Sequence, residues 1–335
     1  MLTRADLDEA IKSGIITEQQ AGKLLGLPEK RREARHAHAQ GDERFVFMKN
    51  FNEFFIALGV VLLGIGLWAA AGTLAYFGAV FPIIFIAVMW GLAEFLTRKL
   101  KLTLPSIVLA IFIVTTLAFL LKDSLSNSSS LLIASLSAAV SALLFYLRFR
   151  LPFALLLLAG GCVAAFFAIF ISLAGEPTPL FTYAMFLIAG IATLAAAQWY
   201  DMSDRERLTR RADCGFWLTL IAAPLIVHPV AGLISSGQDT SVEANILTIA
   251  VVIVFALVAL IIDRRAFLVS SLAYLGGALV YAFTQLGGEQ NALWITLLLM
   301  GASVILLGVG WQRARHAVMQ FVPSSLTRHL PVVRA

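Results

Sequence analysis

The feature that most constrains this chain is repetition. After residue 53, apolar runs of about 20 residues follow one another almost to the end, separated by polar connections. Each run is long enough to cross a hydrocarbon core of about 30 Å as a helix. None shows the period-two alternation of a membrane barrel strand, and inside lipid only helices and closed barrels satisfy their own backbone. The expected fold is therefore all-α, a polytopic membrane protein of about ten transmembrane helices. The spans fall near 54–73, 76–96, 104–121, 130–147, 152–173, 179–199, 215–235, 245–262, 266–285 and 291–311. Charged residues make up 13% of the chain, against roughly 25% in a soluble domain. Mean hydropathy is +0.88.

The connections alternate in charge. One set carries Arg98, Lys99 and Lys101, then Arg148 and Arg150, then Arg205, Arg207, Arg210 and Arg211, then Arg264 and Arg265, then Arg313 and Arg315. The other set carries Lys122 with Asp123, Glu176, Asp239, Glu243 and Glu289. Under the positive-inside rule the basic set faces the cytoplasm, which places both termini there. The same bias explains a pI near 9.4 without a nucleic-acid partner. The first apolar run starts too late for a signal-peptide core and is expected to act as an uncleaved anchor. The expected setting is the inner, cytoplasmic membrane of a bacterium, with the lipid bilayer as the principal partner.

Residues 1–28 spell a small cytoplasmic helical hairpin. Thr3 caps its first helix, Gly14 closes it, and Thr17 with Gln20 forms a capping box for the second. Residues 29–50 are a charged linker. Its His36 and His38 have no further ligand nearby to complete a metal shell. Residues 51–315 form the membrane domain, and 316–335 a cytoplasmic tail lying along the inner surface. Cys162 and Cys214 suggest neither a disulfide framework nor a zinc site.

"GIITEQQAGKLL" resembles the short hairpin called SHOCT, an interaction element attached to bacterial membrane and secreted proteins, which implies a protein partner there. Together with "RFVFMKNFNEFFIALGVVLL" and "YDMSDRERLTRRADCGFWLTLIAAPLIVHP", it resembles a family of alphaproteobacterial predicted membrane proteins of unknown function. The resemblance implies an inner-membrane location and the ten-span layout, and brings no activity, ligand or catalytic residue.

Two constellations stand out as candidate sites. In span 7, His228 sits between Pro224 and Pro229 in "AAPLIVHPV". It lies roughly 20 Å beyond Gly215 at about 1.5 Å per residue, in the outer half of the bilayer. Ionisable residues at that depth usually face protein or a water cavity and are functional candidates by default. Proline lacks an N–H, so Pro224 and Pro229 leave the carbonyls of Leu220 and Leu225 without helical partners. The span is then expected to be broken around a cavity, or else His228 donates to a freed carbonyl nearby. The second constellation is a cytoplasmic polar cluster of Glu94, Asp201, Arg205, Arg207, Arg210 and Arg211. It suits internal ion pairs, anionic lipid headgroups or a phosphate-bearing ligand. Glu94 also has an i,i+4 partner in Arg98. Ser203 and Glu206 form a capping box for a short amphipathic helix, and Asp213 caps span 7. The six tryptophans mostly fall near span ends, as interfacial anchors do.

Span 4 carries Ala134, Ala138 and Ala142 with Ser137 and Ser141, a stripe that lets helices approach closely and implies burial in the bundle. Ten spans with both ends inside divide into two five-span halves of opposite orientation, pairing proline-bearing span 2 with span 7, as in transporters with inverted repeats. No Walker A, dinucleotide, HExxH or GxSxG motif is present, so an enzyme is disfavoured and no cofactor, metal ligand or catalytic residue is expected. The expected function is transporter-like, binding or moving a small solute or lipid-like molecule. The alternative is a non-transporting scaffold or sensor that binds its partner through the hairpin.

Overall fold

Every regular element among the described residues is a helix. The computed structural model describes residues 51–73, 80–123, 130–204, 207, 209–235, 242–285, 291–323 and 330–331, with Ser13 and Thr17. The expected hairpin and linker therefore lie outside the described residues, apart from those two positions. Among these residues ten α-helices follow in order: α1 Phe51–Thr73, α2 Val80–Ala93, α3 Thr103–Asp123, α4 Ser130–Phe149, α5 Phe153–Ala174, α6 Pro179–Ser203, α7 Arg210–Ser235, α8 Val242–Ile262, α9 Ala266–Gln285 and α10 Ala292–Met319. A π-helical turn, Glu94–Lys99, extends α2.

Nine of these helices are long and apolar enough to cross a membrane, and α8 contributes a shorter apolar stretch, Ile246–Ile262. Their outward faces carry what a water-soluble protein hides. Leu62, Leu147, Ile188, Leu306 and Val309 are all exposed, Val309 by 87%. Contiguous apolar surface on this scale requires an apolar solvent. The chain is a polytopic helical membrane protein.

Two helices organise the packing. α3 touches α1, α2, α4 and α5, and α7 touches α5, α6, α8 and α9. One apolar core joins Phe85, Met89, Leu109, Ile113 and Phe145 around α3. A second joins Ile226, Val227, Phe255, Phe267 and Trp311 around α7. Leu155, Ala197, Cys214 and Leu218 bridge them through α5, α6 and α7. The two halves are packed differently. α1 rests chiefly on α3, whereas α6, first helix of the second half, rests chiefly on α7.

Small residues set the closest approaches. A Cβ on Gly161 of α5 would lie 2.7 Å from the backbone nitrogen of Ala139 on α4, so these helices meet backbone to backbone. Ala134, Ser137, Ala139, Ser141 and Ala142 form the buried stripe of α4. Burial of α4 is one-sided, which corrects the expectation of a helix enclosed by the bundle: Leu136, Val140 and Leu147 are exposed.

Candidate functional site

His228 lies on an exposed face of α7, in the seam where α6 and α9 flank it. α7 is one continuous helix from Arg210 to Ser235 with both prolines inside it. The expected break is therefore absent: two missing N–H donors are tolerated because the turns on either side keep their own bonds. α6 packs tightly beside the second gap. A Cβ on Gly190 would meet the Leu225 carbonyl carbon at 3.0 Å.

Pro224, His228 and Gly232 are four residues apart, so they line one stripe of α7. Pro224 and His228 are exposed and Pro229 is buried. The imidazole Nδ1 is hydrogen-bonded to the hydroxyl of Tyr274 on α9. It therefore bonds a side chain across the seam rather than a freed carbonyl of its own helix. Tyr183 and Phe186 of α6 stand edge-on to the imidazole, each with its ring centroid 6.2 Å away. Gly232 makes room for that arrangement. A methyl group there would lie 2.5 Å from Cζ of Tyr183.

The expected cytoplasmic cluster resolves into separate parts. Glu94 accepts from Arg98 at 3.0 Å and from Arg148 of α4 at 2.7 Å. It does not join Asp201. Asp201, at the end of α6, is buried and takes both arms of Arg264, Nε at 3.0 Å and Nη2 at 2.5 Å. Nη2 also reaches the Ala212 carbonyl at 3.0 Å. The close approach of α7 to Asp201 depends on Gly215, where a Cβ would fall 2.3 Å from the carboxylate. Arg207 bonds Asp263 at 2.9 Å. Arg210 and Arg211 are exposed in the first turn of α7. Arg205 and Glu206 lie outside the described residues, and with Glu206 the expected capping box. Asp213 falls inside the first turn of α7, because the helix begins at Arg210.

Around Asp263 a second ionic knot forms that motif and charge counting missed. Its carboxylate accepts the indole N–H of Trp311 at 2.8 Å and faces Arg207 and, at 3.5 Å, Arg315. Arg315 is 1% exposed and also donates to the carbonyls of Leu260 and Pro331. Trp311 is thus a core residue rather than an interfacial anchor, whereas Trp68, Trp199 and Trp294 are exposed near span ends. One signal was available. "IIDRRAF" leaves only three residues between two apolar runs, so their charges must sit at the helix ends.

All these contacts join helix ends that the charge alternation assigns to one face. Glu53, buried at the start of α1, accepts the backbone N–H of Thr103 at the start of α3 at 3.3 Å. Chemically, the buried part of that face is a set of ion pairs, with Arg210 and Arg211 exposed beside them. The seam at His228 is different: a polar pair with aromatic walls, open at membrane depth. Set against known families, characterised proteins and solved structures, the chain finds no match.

Proposed function

We propose that this is a multi-pass protein of the bacterial inner membrane, transporter-like, that binds or moves a small, lipid-like molecule at the His228 seam. One observation carries the proposal. An ionisable ring is exposed within a span, bonded to Tyr274 and walled by Tyr183 and Phe186. Holding polar groups on an otherwise apolar face is costly, and such residues mark ligand paths. The charge alternation supports an orientation with both termini in the cytoplasm. Cysteines placed at Glu176 and Arg211 are then labelled by an impermeant thiol reagent from opposite sides.

The test of the site is photolabelling of the full chain in nanodiscs with a diazirine-bearing alkyl lipid, followed by peptide mapping. Labelling concentrates on the α6, α7 and α9 segments around Tyr183, His228 and Tyr274, and falls in His228→Ala. Uniform labelling of all outward faces, indifferent to that substitution, sinks the proposal. A scaffold role is the second reading, supported by the sequence "GIITEQQAGKLL". Deleting residues 1–40 while the membrane domain stays folded abolishes function under that reading and spares it under the first.

A further inference from the structure

We infer that the seam takes a neutral, carbonyl-bearing ring lipid of the isoprenoid-quinone class, reaching it sideways from the bilayer. The inference rests on the proposed His228 site and specifies its ligand. Count the protons first. A neutral imidazole has one N–H and a phenol one O–H. One of these two is spent in the bond between Nδ1 and Tyr274. Whichever tautomer holds, one donor remains, either Nε2–H of His228 or O–H of Tyr274. Neither side chain makes another hydrogen bond within the protein among the described residues. A donor exposed to hydrocarbon lacks the water that would satisfy it. The ligand that fits supplies an acceptor.

Depth then separates the acceptors. From Gly215 to Ser235, α7 climbs about 30 Å, the thickness of the hydrocarbon core. His228 is seven residues short of Ser235, about 10 Å inside that boundary. Phospholipid ester carbonyls and phosphates sit at the boundary itself, too shallow to reach the ring. Charge decides next. Among the described residues the seam presents a phenol pair, an imidazole and Phe186, with no opposite charge to receive an ion, and an unpaired charge at this depth is costly. What remains is an uncharged carbonyl on a ring that dissolves in hydrocarbon. The edge-on rings of Tyr183 and Phe186 give a flat ligand aromatic contact, worth more than its area alone. The tail of such a lipid lies along the exposed apolar faces of α6 and α9, where Ile188 and Val269 are exposed.

The test uses the full chain in phospholipid nanodiscs, so ordinary phospholipid is always in excess. A decyl-tailed azidobenzoquinone is the photoprobe, and decylubiquinone the competitor. Label is expected on the peptides carrying Tyr183, His228 and Tyr274, suppressed by decylubiquinone and not by a decyl-tailed dimethoxybenzene, which has the ring and tail without the carbonyl. His228→Ala weakens protection about threefold to tenfold, the loss of one neutral hydrogen bond. His228→Gln keeps a donor and retains more of it. Gly232→Ala displaces the Tyr183 ring and weakens binding with the donor intact. Thermal unfolding of each variant confirms that the fold is kept. If the diazirine lipid labels the seam but decylubiquinone gives no protection, or the carbonyl-free ring protects equally, this inference is overturned and the ligand site stands. If neither probe favours the seam, both fall.

Discussion

The helix ends on the basic face are joined by charge in two ways. Around α6 to α10 the pairs are buried: Asp201 and Arg264 are each 2% exposed, and Arg315 is 1%. Around α2 and α4 they are open, with Arg98 and Arg148 about half exposed where they hold Glu94. The bond lengths are alike, so distance does not distinguish them. Solvent does. An open pair exchanges water for a partner at little net gain. A buried pair gains little over an apolar substitute, yet breaking it strands a charge without water. The second half is therefore built so that its ends cannot separate cheaply, whereas the first half relies on apolar packing around α3.

The sharpest way to break this contrast is Arg264→Gln, which leaves Asp201 buried and unpaired. It is expected to destabilise by about 3–5 kcal/mol, read as a lowered unfolding midpoint in detergent. Asp263→Gly comes next. Asp263 has φ 55°, so glycine relieves a strained backbone, worth about 1–2 kcal/mol. It also removes the carboxylate that Trp311, Arg207 and Arg315 share, and net destabilisation is expected. Gly215→Ala drives a methyl group against Asp201 and lowers the midpoint less than Arg264→Gln. Combined with Arg264→Gln it adds little, since both act on one bond. A fully additive pair refutes that shared mechanism. Arg150→Gly, at φ 50° with no such acceptor role, is expected to stabilise, by up to about 1 kcal/mol. The smallest effect is Glu94→Gln, which leaves the midpoint at the parent value. A drop as large as that of Arg264→Gln dissolves the distinction between the two regions.

Span positions were legible in the sequence because apolarity and length are local properties. α7 and α10 nevertheless run past the expected limits, to Arg210 and Met319, because polar residues continue a helix beyond the hydrocarbon wherever partners await them. Arg315 has Asp263, Leu260 and Pro331. His228 was recognisable as an anomaly, but its partner Tyr274 is 46 residues away and no spacing rule joins them. Partner choice among the charges was illegible for the same reason. Asp201 stands in sequence beside four arginines and bonds a fifth, because packing of α7 and α8 brings Arg264 to it first.

Among the described residues four other than glycine have positive φ, Lys101, Arg150, Arg207 and Asp263, and each lies in a different connection on the basic face. Those at Lys101, Arg150 and Asp263 are short, sharply bent elbows, and the ion pairs above rivet several of the helix ends they join. A rod held at one end and tilted travels farthest at the other. Any breathing of this bundle is thus levered toward the opposite face, and the His228 seam lies on the long arm of that lever.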